Sequence, residues 1–405
     1  MVGEDSGFGT RSRTRLLGLD LLRAVAAWLV LLSHVAFWSG ASASGVVGGL
    51  AARGELGVAV FFALSAFLLS APFVRRRLGE RARWSAGTYL VRRVARIMPA
   101  YLLALIGVII AAAVIGGAAA DVLDLPTVLV HLVIGQGWTG RTFQSFTQTW
   151  SLTTEVTFYL LLPVAAWALT SATKGDSPAA SARRMLAACA VIGVLGLTAQ
   201  SLAGLLPDPH VAGVLATSAA GHAAWFALGT ALTVIIEAES AGHPVTLHPL
   251  LEVARTSPGT LLVLAGVLWL VASTPLAGPR GLTPSTGPQS LAAEVLYGLV
   301  AGALLLAATS RGVNELITQS PAAGLARWLG DISYGVFLWH VLVIQVIFAV
   351  FDLPLFAAPF ALTLVLVTVI SVGLAHLSWT LVERRVLALA HRRRHAPLPQ
   401  PARRG

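Results

Sequence analysis

Charge is what this chain is shortest of. Of its 405 residues only 11% are Asp, Glu, Lys or Arg and 56% are hydrophobic, against roughly 25% charged in a soluble domain. The mean hydropathy of +0.78 goes with the same deficit, and together they exclude a soluble globular protein in favour of a polytopic membrane protein. Cysteine is nearly absent: Cys189 stands alone, so no intramolecular disulfide forms. Cys/His clusters with metal-ligand spacing are missing, which argues against a structural metal. Acidic residues are the scarcer charge and leave a formal net charge of +10. On a soluble surface that excess would point to nucleic acid. Here the basic residues cluster between apolar runs, so topology explains them and no nucleic-acid partner is expected. Also lacking are an internal repeat and any loop long enough for a soluble domain.

What is present is a succession of apolar runs of spanning length, at 16–38, 56–74, 97–117, 149–170, 185–206, 212–236, 258–274, 291–310, 332–351 and 357–382. They predict an all-α fold with about ten transmembrane helices, an even number that puts both termini on one side. The run 125–137 is too short to cross and reads as re-entrant or interfacial. Arg11, Arg13 and Arg15 ahead of the first run resemble a signal-peptide start, but the apolar stretch exceeds the roughly 7–15 residues of a signal core. It reads as a retained helix. If the N-terminus is cytoplasmic, only Arg53, Arg141 and Arg280 of the 28 basic residues face outward, which is the asymmetry that cytoplasmic retention of positive charge produces. The expected organisation is a cytoplasmic segment 1–15, a transmembrane domain 16–385 and a basic cytoplasmic tail 386–405, in the plasma membrane. The Pro-, Gly- and Ser-rich stretch 271–290 reads as an outer loop.

Three polar groups interrupt the first run, "DLLRAVAAWLVLLSHV". Arg23 and His34 are eleven residues apart, which at about 100° per residue makes three turns plus roughly 20° and an axial separation of roughly 16 Å. Asp20 falls within about 40° of the same stripe. Ionisable groups at such depth are expensive unless they face protein or water, so the stripe is expected to line an internal cavity. An interfacial Asp20–Arg23 pair and a His34 bonded to a neighbouring helix is the plainer alternative.

The arginine, ten residues, histidine pattern of this helix resembles the acyltransferase 3 family, integral membrane O-acyltransferases that modify cell-envelope glycans and some secondary metabolites. The next helix, "GVAVFFALSAFLLS", is similar to that family's second-helix run, with Ala66 where the family has glycine. Ser65 sits among small residues and reads as packing rather than as a nucleophile. Eight arginines follow, at 75, 76, 77, 81, 83, 92, 93 and 96. Most need no function beyond topology and anionic lipid. Arg93 and Arg96, in "RRVARIMPAY", share one helical face, and paired guanidinium groups suit phosphate. The resemblance ties this pair to a cytoplasmic acyl-CoA donor. "WSLTTEVTFY" resembles the family's fourth-helix motif and contributes Glu155 and Tyr159. If the first and fourth helices are neighbours, Glu155 lies near the depth of His34 and can orient its imidazole. "GDISYGVFLWHVLV" resembles the ninth helix and carries His340, which lines the cavity or serves packing. His222 and His376 match no motif and read as structural.

The resemblance spans nearly the whole chain through five dispersed segments in the family's order. It implies transfer of an acyl group, acetyl in the first instance, from acyl-CoA to a hydroxyl of an envelope glycan or hydroxylated metabolite. Acyl-CoA is then a co-substrate, with no permanently bound cofactor. His34 is the expected general base, an acyl-histidine intermediate being the second route. Arg23, Arg93 and Arg96 are expected at the donor, and Asp20, Tyr159 and His340 along the cavity. Two other readings stand beside it. A secondary transporter would use the same intramembrane charges as a relay and should show broken helices related by a repeat. A non-catalytic exporter or scaffold of the same fold would carry the same motifs. Oligomeric state is left open.

Overall fold

The computed structural model describes residues 15–80, 84–115, 121–245 and 248–392. Arg11 and Arg13, the loop residues Arg81 and Arg83, and the tail beyond 392 lie outside the described residues.

The ten apolar runs are helical, one of them in two pieces. They form α1 (Leu17–Ser39), α2 (Gly57–Arg77), α3 (Ala86–Val114), α4 (Trp150–Ala172), α5 (Pro178–Ala203), α6 (Ala223–Ser240), α7 (Pro258–Ala272), α8 (Gly287–Thr309), α9 (Ala323–Val350) and α10 (Phe360–Ser378). Among the described residues nine helices are long and apolar enough to cross a membrane. The tenth, α7, has only 15 residues, about 22 Å of helix against a hydrocarbon core of about 30 Å. The run at 125–137 becomes two short helices, Leu125–Leu132 and Gln136–Thr139, too short to span.

One expected helix is broken. The run 212–236 divides into Pro209–Thr217 and α6, because Ser218 turns extended and its hydroxyl takes the Gly221 N–H at 3.1 Å. His222 therefore lies at a helix start instead of within a span.

Burial separates an inner set of helices from an outer one. In α9, 83% of the apolar window is buried, against 22% in α5 and α10. The inner set α1, α2, α6, α8 and α9 packs through small residues, which let backbones approach without losing dispersion contact. A Cβ at Gly229 of α6 would lie 2.0 Å from the Ala63 carbonyl oxygen of α2, and one at Gly57 would lie 2.4 Å from the Ala26 carbonyl of α1. Ala66 is fully buried in the same core, so the methyl group that replaces glycine there is accommodated. α1 packs on α9, α2, α8 and α10, whereas α4 packs on α2 and α3.

The short helix Leu125–Leu132 is tied down by His131, which is fully buried. The Tyr101 hydroxyl donates to its carbonyl at 2.8 Å, and its Nε2 accepts the Phe143 N–H at 3.3 Å. Burial pushes this imidazole down to about 4, so it is neutral in the fold.

Candidate functional site: two cavities along the first helix

Two cavities open against α1, one at each end of the polar stripe. The first, about 540 Å³, is lined by Asp20 and Arg23 of α1, Arg92, Arg93 and Arg96 of α3, Glu155 and Tyr159 of α4, and Arg15, Asp331 and Tyr334. Five arginines face three carboxylates there, so the cavity carries an excess of positive charge. The second, about 860 Å³, takes His34 and Trp38 from α1, Arg53 and Glu55, Trp150, His222, Trp225, Glu294 and Tyr297, and Arg280 from the loop before α8. Between them lies a pinch of about 30 Å³, bounded by Phe61, Phe62, Leu152 and Phe337. It shares Val58 with the histidine cavity, and Phe61, Glu155 and Tyr334 with the arginine cavity.

In the arginine cavity Asp20 is 2% exposed and accepts from Arg15 and from Arg23 Nη1, the latter at 2.9 Å. A buried carboxylate needs such partners to stay charged. Arg23 is thereby held on the stripe. Arg93 lies over the Tyr159 ring at 6.0 Å, and its buried Nε has no hydrogen-bond partner among the described residues. Arg96 stacks over Trp379 at 5.5 Å and reaches Glu383 at 3.8 Å. Glu383 is delivered by a wide π turn, Trp379–Glu383, at the end of α10. Such turns widen a helix locally and re-aim one side chain.

In the histidine cavity His34 Nδ1 lies 2.9 Å from the Val30 carbonyl and 3.2 Å from His340 Nε2. His340 Nδ1 in turn faces the Val336 carbonyl at 3.2 Å. A carbonyl only accepts, so each Nδ1 carries the hydrogen in the neutral rings, and His34 shares its own between Val30 and the bare Nε2 of His340. That assignment leaves Nε2 of His34 with its lone pair, the form a general base requires. Glu55, on the wall of the same cavity, is a carboxylate whose charge acts on His34. It accepts from the Tyr297 hydroxyl at 2.6 Å.

The residues expected from sequence thus fall into two groups. Arg23 and His34 lie at opposite ends of the stripe, and Asp20, Arg93, Arg96 and Tyr159 gather with Arg23. Glu155 does not join His34. It accepts from Ser65 of α2 and from Tyr159, because α4 packs on α2 and α3. Ser65 is therefore a hydrogen-bond donor to Glu155 as well as a packing residue. The partner of His34 is His340 of α9.

Several residues escaped sequence reasoning. His222 Nδ1 lies 3.0 Å from Glu294 Oε2, while Glu55, Tyr297, Tyr334 and Glu383 pair across elements distant in sequence. The one signal for His222 was its place in "SAAGHAAW", beside a glycine able to break the helix.

A helical membrane protein with an arginine-lined and a histidine-lined cavity strung along one helix is the class these features define. The chain belongs to the acyltransferase 3 family: the profile described as "Acyltransferase domain" matches residues 16–378. No curated protein and no solved structure matches it significantly.

Proposed function

We propose that the protein transfers an acyl group, acetyl in the first instance, from cytoplasmic acyl-CoA to a hydroxyl of an envelope glycan or hydroxylated metabolite on the far side of the plasma membrane. The observation that carries this reading is the pair of cavities joined along α1, one cationic and one holding an imidazole with a free Nε2. Both termini are cytoplasmic in this reading, which takes the short α7 as a tenth crossing beside the nine longer helices and is supported by the concentration of arginine at one end of the bundle.

The phosphates of CoA dock on Arg93 and Arg96, with Arg23 further along. Guanidinium groups suit phosphate because their fixed donors match its oxygens, and the unpartnered Nε of Arg93 offers one. The pantetheine arm then runs up the stripe, over the roughly 16 Å between Arg23 and His34. A pinch of about 30 Å³ has room for about one water, so the aromatic side chains of Phe61 and Phe337 swing aside as the thioester passes.

At the far end His34 Nε2 takes the proton of the acceptor hydroxyl, whose oxygen attacks the thioester carbonyl. The C–S bond breaks, and the proton leaves with the CoA thiol. The imidazolium formed on the way is held through Nδ1 by Val30 and His340, with Glu55 as the nearby anion. Glu155 acts on the donor side, fixing Tyr159 beneath Arg93.

The test is transfer of labelled acetyl from acetyl-CoA by membranes containing the protein. His34→Ala is expected to abolish transfer, a loss of about 10²–10⁴-fold, while the protein remains inserted. Undiminished transfer by that variant overturns the role of His34.

A further inference from the structure

The lining of the histidine cavity also holds a histidine–carboxylate pair, His222 and Glu294. Glu294 of α8 is 3% exposed and His222 is 7% exposed. Glu294 Oε2 lies 3.0 Å from His222 Nδ1, and Gln200 Nε2 lies 3.2 Å from the same nitrogen while donating to the Ala216 carbonyl at 2.7 Å. Nδ1 serves one of the two, and a carboxylate takes its hydrogen in preference, since charge-assisted bonds are the stronger. The His222 ring is clamped flat on Trp225, centroids 4.2 Å apart, and the Trp225 indole N–H donates to the Glu294 carbonyl at 2.8 Å. The pair is rigid.

Its bonding is incomplete. Glu294 Oε1 is buried without a hydrogen-bond partner among the described residues, and no bond of His222 Nε2 occurs among them. A buried unsatisfied carboxylate oxygen costs several times what an ordinary hydrogen bond contributes, so its place on a cavity wall points to a ligand that supplies the donor. The other charges of the cavity are engaged. Arg53 donates to the carbonyls of Ala272 and Gly278 and reaches Glu55, and Arg280 donates to those of Gly45 and Ser273. Two arginines face two glutamates, so the charges of these side chains balance, and the pair offers two acceptors, one on the carboxylate and one on the far nitrogen of the imidazole.

We propose that His222 and Glu294 form a hydroxyl-binding subsite that seats a neutral polyhydroxylated acceptor, with separate hydroxyls of one molecule donating to Glu294 Oε1 and His222 Nε2. The inference rests on the acyltransferase reading for the purpose of the site, since the seated ligand shares one cavity with His34. Its recognition chemistry is separate from the donor side. An anionic sugar finds no unengaged cation here, and the neutral lining gives an ammonium group no net attraction.

The experiment uses the full chain in phospholipid nanodiscs, free of sugar-based detergent. Neutral methyl glycosides are the probes, including methyl β-glucopyranoside and its N-acetylamino counterpart, with glucuronate and glucosamine for comparison. Binding is read by thermal shift and by quenching of tryptophan fluorescence. At least one neutral glycoside is expected to bind saturably, and Glu294→Ala and His222→Ala are expected to weaken it about 10- to 100-fold. A cooperative thermal transition like that of the parent chain certifies that each variant is folded, whether or not CoA binds. Glu294→Gln keeps the shape of the pair without its charge, and carries the test with an intermediate loss if the alanine variants do not insert. Unaltered glycoside binding in the folded variants overturns the subsite, as does a preference for glucuronate or glucosamine, or no binding by any neutral probe. If glycosides bind through the pair but no acetyl is transferred, the subsite stands and the transferase reading falls.

Discussion

In the proposed mechanism His340→Ala separates the imidazole that reacts from the one that holds it. His340 Nε2 sits 3.2 Å from His34 Nδ1, and its acceptance matters most when His34 is protonated. A hydrogen bond to a charged group contributes about 1.5–3 kcal/mol, and each 1.36 kcal/mol on the barrier is tenfold in rate. The variant is therefore expected to lose about 10- to 150-fold in kcat. Val30 still holds the Nδ1 hydrogen at 2.9 Å, so the reactive tautomer survives and the loss stays below that of His34→Ala. KM for acyl-CoA should not move, since His340 does not line the arginine cavity. His340→Gln, which restores an acceptor near the same place, is expected to recover part of the rate. The assay is single-turnover acetyl transfer from labelled acetyl-CoA in nanodiscs, with thermal unfolding to check that the buried substitution leaves the chain folded. An unchanged kcat in His340→Ala would refute the positioning role. So would a larger loss of kcat in Glu155→Gln at constant KM, which would return the orienting role to the carboxylate.

Other consequences are equally concrete. Arg93→Ala should raise the KM of acetyl-CoA about tenfold or more and narrow the preference for CoA over dephospho-CoA, measured from initial rates at two salt concentrations. Phe337→Ala, which opens the pinch between the cavities, should raise the relative rate with longer acyl chains, read by competition between acetyl- and butyryl-CoA. His131 has a folded pKa near 4 against 6.5 for the free side chain, so the unfolded chain binds the extra proton between those values. Stability contributed by the neutral ring is complete above about pH 6.5 and falls with decreasing pH. By pH 5 the loss is about 2 kcal/mol, to be measured as a drop in Tm that His131→Phe removes. Gly229→Val forces a Cβ to within 2.0 Å of the Ala63 carbonyl and should cost about 1–3 kcal/mol, seen as a lower Tm and a poorer yield of inserted protein.

Much of this molecule was legible in one dimension because lipid imposes a one-dimensional rule. A segment must be apolar over the thickness of the bilayer and must satisfy its backbone internally, so nine of the ten apolar runs became single helices and one became two. The 3.6-residue period likewise put Arg23 and His34 on one stripe, and the i, i+3 spacing put Arg93 and Arg96 in one cavity. Boundaries were less legible where a local bond overrode hydropathy, as Ser218 does in dividing the expected sixth span. α7, by contrast, is short because its apolar run is short: it starts at Pro258, where the run starts, and ends at Ala272, two residues before the run does.

The sequence alone determined which helices carry polar groups, and the order of Arg23 and His34 along α1, but not the level of Glu155, which was expected beside His34 and lines the arginine cavity. Only the tertiary structure decided which helix faces which, because that choice depends on small residues closing particular interfaces. Gly57 and Gly229 bring α1 and α6 against α2, while α4 packs on α2 and α3, where Glu155 meets Ser65. The same packing sets α9 beside α1 and so gives His34 a histidine in place of the expected glutamate. It also brings His222 from a helix break to Glu294, 72 residues away, a pairing that no local pattern encodes.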